Sequence, residues 1–267
     1  MLTGAEAQSR DLIDRTPDPR LWMGVSAIAA TVLALAEFLV NVVLVGRRPS
    51  LDDAAALVAF TTSASTPTLV VVLIDSFLMA CLIVFLAGFR QLITQRRPEI
   101  GWIADLAFGS GLLFVGLTLV GDAMVAGAAL DTVGSAGDPS VVRALTVGHA
   151  EMFGSIGCVL TALGAAASGY AVLLSGALPR WAAWFAYAVS AANLMMMPTM
   201  FAGTNEPVFV SAGGPVIVMF AIAPWLVWVA LVGVTALRQR SRSVRRVAAG
   251  RRPTVASGRG QPQPSGE

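Results

Sequence analysis

Six long apolar runs are separated by short polar connections along the chain: residues 22–45, 67–89, 102–130, 143–175, 181–203 and 215–237. At 1.5 Å per residue, each run reaches across a hydrocarbon layer about 30 Å thick. The apolar positions are nearly continuous and do not fall on one stripe, as expected of helices whose outer face meets lipid. The pattern predicts an all-α integral membrane protein with six transmembrane helices in one domain, residues 21–237. Residues 1–20 read as a polar N-terminal tail, with Pro17 and Pro19 breaking any helix there. Residues 238–267 read as a disordered, Arg-rich tail, because they hold almost no apolar side chains to bury.

The polar punctuation refines the pattern. In the first run, Ala34-Leu35-Ala36 has the small residues of a signal-cleavage site, but the apolar run continues to Val45. A signal core is shorter, about 7–15 residues, so a retained helix is predicted. Ser50 is placed as the N-cap of a short surface helix, residues 51–60, with Asp52 and Asp53 in its first turn. Thr66-Pro67 and Asp138-Pro139 read as cap and first residue of the second and fourth helices. Gly157, Thr161, Ala165 and Gly169 place a small residue on every fourth position of the fourth helix, a face suited to close helix packing. Pro224 lies near the middle of the sixth run, where a kink is tolerated if neighbours satisfy the freed carbonyl.

Composition strengthens the membrane assignment. Hydrophobic residues make up 56% of the 267 and charged residues only 13%, against about 25% charged in soluble domains. All 18 basic residues are arginine, which reads as a high-GC coding bias of a bacterial chain. With six spans both ends lie on one face, and 15 of the 18 arginines fall on that face. The positive-inside rule then predicts a plasma-membrane protein with both termini in the cytoplasm. Trp22, Trp102, Trp181 and Trp184 fall near the inner interface, where amphipathic rings are favoured. The expected partners are the bilayer itself, anionic lipids at the Arg-rich tail, and a second copy or another membrane subunit; no nucleic acid is expected. Cys81 and Cys158 lie in apolar runs without metal-type spacing and read as small buried hydrophobes.

Charge inside the membrane is the remaining signal, because carboxylates there are costly and mark functional sites. Glu37 lies eight residues before Val45, Asp75 eight after Pro67, Asp122 eight before Leu130 and Glu151 eight after Arg143. Alternating helix directions put all four about 12 Å below the outer surface. Asn41, one turn after Glu37, and Asn193 in the fifth helix complete the candidate ligand-binding set. These residues are expected either to line an outward-facing pocket or to pair off as packing contacts. His149, the only histidine, is two positions from Glu151 and so about 200° around the helix. With Glu151 facing inward, His149 is expected to face lipid, a neighbouring helix or the interface. Asp105 reads as a first-turn acid and Met195-Met196-Met197 as core filling. No Walker, Gly-x-Ser-x-Gly or dinucleotide fingerprint occurs, and a catalytic zinc usually needs about three protein ligands, typically with histidine; no catalytic residue or cofactor is predicted.

Glu37 in the first helix, Arg90 with Arg96-Arg97-Pro98, Asp138-Pro139 and Leu178-Pro179-Arg180-Trp181 together resemble the small multi-pass membrane proteins of actinobacteria that carry no assigned activity. The resemblance covers residues 20–237 and implies no reaction. Three functions fit the residues: a binding, transport or sensing protein for a cation, proton or amine; a non-catalytic scaffold or partner subunit; and a membrane-embedded metal-dependent enzyme using His149 with the acids.

Overall fold

The computed structural model of the protein describes residues 18–133, 137–205 and 208–250, with side chains to residue 243. Among these residues there is no strand. Helix α1 is Pro19–Val40, extended by a wider π turn over Asn41–Val45. The surface helix α2 is Ala54–Ser63, and α3 is Ser65–Arg96. Helix α4 is Gly101–Thr132. The fourth span is made of α5, Pro139–Glu151, and α6, Gly157–Ser175, joined by a π turn over Met152–Ile156. Helix α7 is Arg180–Met196, tightening into a 3-10 turn over Met197–Ala202. A one-turn start at Pro215–Ile217 and a π turn over Val218–Ile222 lead into α8, Ala223–Gly250. Six helical stretches are long and apolar enough to cross a membrane, as the hydropathy pattern requires.

The spans pack largely as neighbours in chain order and close on themselves. Helix α1 lies against α3, α3 against α4, α4 against α6, α6 against α7, and α8 returns to α1. Short connections make consecutive antiparallel neighbours the cheapest arrangement. Closure of the ring depends on two glycines. A Cβ on Gly24 of α1 would collide with Leu237, and one on Gly233 of α8 would collide with Ala27. Only glycine lets these backbones approach so closely. On α6, Gly169 meets the backbone of Ala183 and the side chain of Ala186 on α7, while Gly157 meets Phe114 of α4. Gly157, Thr161, Ala165 and Gly169 are all buried, but the ladder serves two neighbours and is not a single seam.

The bundle is filled by aromatic rings on α3, α4 and α8. Phe85 meets Trp228 edge-on at 6.1 Å between centroids, and Phe114 meets Trp225 at 5.3 Å. Trp228 donates its Nε1–H to the Ala182 carbonyl at 2.7 Å, satisfying the indole in a dry core. Trp22, Trp102, Trp181 and Trp184 are exposed, in keeping with seats at a membrane interface.

Several boundaries differ from the pattern-based expectation. The second span runs seven residues past Phe89 to Arg96, because nothing between Arg90 and Arg96 stops a helix that can hold its charges beyond the hydrocarbon. It begins at Ser65, so Thr66-Pro67 lies inside its first turn. The cap of the surface helix is Asp53, whose carboxylate accepts from the Ala56 N–H at 2.9 Å; Ser50 instead accepts from the Asp52 N–H at 3.3 Å. Asp138 caps the fourth span as expected, accepting from the Ser140 N–H at 2.8 Å. The sixth helix continues to Gly250, so residues 238–250 are helical where disorder was expected. Alanine, valine and arginine carry the helix on, and Pro253 is the first breaker beyond it. Glu206, Pro207 and residues 251–267 lie outside the described residues.

Candidate functional site

Three adjacent helices bring three of the four membrane carboxylates together. Glu37 is on α1, Asp75 on α3 and Asp122 on α4. Asp75 and Asp122 are 6% and 8% exposed, and Glu37 is half-buried. The Asp75 and Asp122 carboxyls meet side chain to side chain, and Glu37 lies within electrostatic reach of both. Ionised carboxylates are acceptors only, so a hydrogen bond between two of them needs one proton. Asp122 Oδ2 is buried without a hydrogen-bond partner.

Glu151 does not join the three. Helix α5 turns its other face towards α4, and His149, not Glu151, meets that helix. A Cβ on Gly121 would lie 3.3 Å from His149 Nδ1, which places the imidazole beside the residue preceding Asp122. The imidazole stacks on Phe153, one turn further, at 5.8 Å. The charge of Arg48, in the connection after the first span, also reaches His149. Of lipid, a neighbouring helix and the interface, His149 thus takes the neighbouring helix. Residues two apart cannot share a face, and the close approach allowed by Gly121 selects His149.

The fourth span then breaks. Gly154 has φ −80° and ψ −105°, outside the helical region, within the π turn. A Cβ there would strike the Ala212 carbonyl, so the loop before the last span is seated in the break. Glu151 Oε2, Ser155 Oγ and His149 Nδ1 are all buried near this break with no hydrogen bond of good geometry. Orphaned buried polar atoms are uncommon and call for a water, an ion or a function.

Asn193 is 2% exposed but belongs to the packing, not to the acids. Its amide donates to the Val189 carbonyl at 2.9 Å and to the Ala221 carbonyl at 3.4 Å. The second bond reaches the π turn over Val218–Ile222, just before Pro224. Asn41 stands where α1 widens into its π turn, its carbonyl accepting from the Gly46 N–H at 2.8 Å. Asp105 forms an ion pair with Arg90 of the preceding helix instead of standing alone as a first-turn acid. Met195 is 67% exposed, so only Met196 and Met197 of the triplet pack inward.

A cavity of about 20 Å³ at the bundle centre is lined by Phe85, Gly111, Phe114, Thr161, Gly164 and Trp225 among others, and by none of the acids. It has room for one water. Among the described residues, no three His, Cys, Asp or Glu side chains converge as metal ligands. Sequence reasoning also missed Asn205, which joins the connection after the first span to the one before the last. Its Oδ1 accepts from the Leu51 N–H at 3.0 Å and its Nδ2 donates to Ser50 Oγ at 3.0 Å, across 154 residues of chain. No local pattern signals so distant a pair. Comparisons with protein families, with curated proteins and with solved structures find no match to this chain.

Proposed function

We propose that this six-helix membrane protein binds a proton, or a small cation in its place, at Glu37, Asp75 and Asp122, and uses it for transport or sensing. The observation that supports this reading is that three carboxyls from three different spans lie within electrostatic reach of one another, with Asp75 beside Asp122. Like charges at such a contact cannot both stay ionised, so the group holds a proton or a counter-cation. Changing that occupant changes the repulsion between α1, α3 and α4. The broken fourth span stands beside it, and irregular backbone at membrane depth occurs where it is buried in protein or lines a wet path. His149, Glu151 and Ser155 are the groups on that element with unmet hydrogen-bonding capacity.

Infrared difference spectra of the full chain in lipid nanodiscs, stepped between acid and alkaline pH with and without sodium, test the reading. A carboxyl C=O band that titrates, and that disappears in Asp75→Asn and Asp122→Asn, is the expected result. Pyranine-loaded proteoliposomes then separate transport from sensing. Identical pH-difference spectra for wild type and both variants would remove the reading.

A scaffold or partner-subunit role is favoured by one observation: the described cavities do not include the acids, so the Asp75–Asp122 contact can serve as packing alone. A partner that co-purifies, with no titrating band, would support it. The metal-dependent enzyme required His149 to converge with two carboxylates, and no such group occurs among the described residues.

A further inference from the structure

A second cavity lies away from the acids, at the other end of the first and last spans. It is an open groove of about 340 Å³ between α1 and α8, lined by Ile28, Val234, Leu237, Arg238, Ser241 and Arg242. On α8 these positions recur at three- and four-residue intervals, so they form one stripe along the helix. The stripe changes character along its length. Val234 and Leu237, with Ile28 opposite, make an apolar upper wall; Arg238 and Arg242 make a cationic lower edge. Val234 to Arg242 is eight residues, about 12 Å along the axis. That is the order of groups met along a phospholipid, from acyl chain to phosphate.

The neighbouring charges sharpen the assignment. Arg240, on the adjoining face, is bound to Asp18 at the start of α1 through a 3.0 Å contact. That ion pair closes the inner ends of α1 and α8 together and removes Arg240 from the groove. Arg238 and Arg242 make no ion pair among the described residues, and both are exposed. Ser241 spends its hydroxyl proton on the Leu237 carbonyl at 3.0 Å, so the arginines carry the recognition. Two guanidinium forks one turn apart suit a phosphodiester, whose oxygens accept bidentate donation. An apolar wall continuous with the bilayer suits an acyl chain and not a freely soluble anion.

We propose that this groove binds an anionic glycerophospholipid, with its phosphate at Arg238 and Arg242 and one acyl chain along Leu237, Val234 and Ile28. Such a lipid wedges the α1–α8 closure, which otherwise rests on Gly24, Gly233 and the Asp18–Arg240 pair.

The test uses the full chain in detergent, titrated with phosphatidylglycerol or phosphatidylcholine and followed by native mass spectrometry and thermal unfolding. The wild type is expected to retain phosphatidylglycerol over phosphatidylcholine and to unfold at a higher temperature with it. The double variant R238Q/R242Q is expected to lose roughly 30-fold in phosphatidylglycerol affinity, the effect of two basic contacts at a charged membrane surface. R240Q is the control: it is expected to lower the unfolding temperature without lipid while keeping the lipid preference. Ile28→Trp, which fills the apolar wall from an exposed position, is expected to reduce lipid retention while leaving helicity unchanged. Equal preference in R238Q/R242Q and wild type overturns the proposal. Competition by inorganic phosphate at the same concentration as the lipid also overturns it, since the site would then hold a soluble anion.

Discussion

Single polar groups decide where several helices begin and bend. Asp138 receives the Ser140 hydroxyl, at 2.6 Å, and the Ser140 N–H. These donors hold its carboxyl below the usual carboxylate range, the Ser140 hydroxyl being the larger influence. A carboxylate with a depressed pKa stabilises the fold above its unfolded pKa, and the contribution is lost as pH falls through the folded value. Asp138→Ala is therefore expected to lower the unfolding temperature at neutral pH, with the difference from wild type vanishing in acid. Asp138→Asn keeps a capping oxygen and should lie between the two. Asn193 makes the comparison inside the membrane. Asn193→Leu removes the bond to Ala221 beside the proline break, at a cost of about 0.6–2 kcal/mol in equilibrium unfolding in micelles. No loss in that variant would mean that lipid or water already satisfies the carbonyl.

Helices are where the sequence was most legible, and their faces least. Long apolar runs predict six spans because every backbone group in lipid must bond within its own segment, which leaves little alternative to a helix. Which face turns inward is a property of neighbours. On α5, Glu151 was the stronger candidate by charge, yet Gly121 on α4 admits His149 and turns Glu151 out of the acid group. The small-residue ladder on α6 was visible from spacing alone, whereas Gly24 and Gly233 stand 209 positions apart and acquire meaning only when α1 and α8 meet. Gly24→Leu or Gly233→Leu should cost about 1–3 kcal/mol through overpacking and weaken the α1–α8 contact, read as increased protease or cysteine accessibility of α8. Gly154→Ala is a separate case. Its methyl would strike the Ala212 carbonyl, so the loop before the last span must leave the break or the helix must straighten. A wild-type unfolding profile together with an unchanged pH response in Gly154→Ala would show that the break is not part of the site.

At the scale of the whole molecule, the sequence predicts one level for Glu37, Asp75, Asp122 and Glu151, because six alternating helices convert positions in sequence into levels in the bilayer. The contact between Asp75 and Asp122 agrees with that conversion. Sidedness is an independent matter, and it decides from which compartment a proton reaches the three acids. The arginine distribution predicts that the connections holding Asp52 and Asn205 face outward and the one holding Glu99 faces the cytoplasm. Asp52 and Glu99 are both well exposed, at 79% and 61% of the side chain, so a cysteine at either position is accessible to reagent. In a background lacking Cys81 and Cys158, Asp52→Cys should react with a membrane-impermeant maleimide in intact cells. Glu99→Cys should react only after permeabilisation. The reverse pattern would invert the protein, open the acid group towards the cytoplasm and place the α1–α8 groove in the outer leaflet. Labelling of both from outside would mean that an even number of crossings separates Asp52 from Glu99, and the six-span topology itself would fall. With the predicted pattern, the acids are expected in the outer half of the bilayer. Outer pH, not inner pH, should then govern the infrared response in vesicles of known orientation.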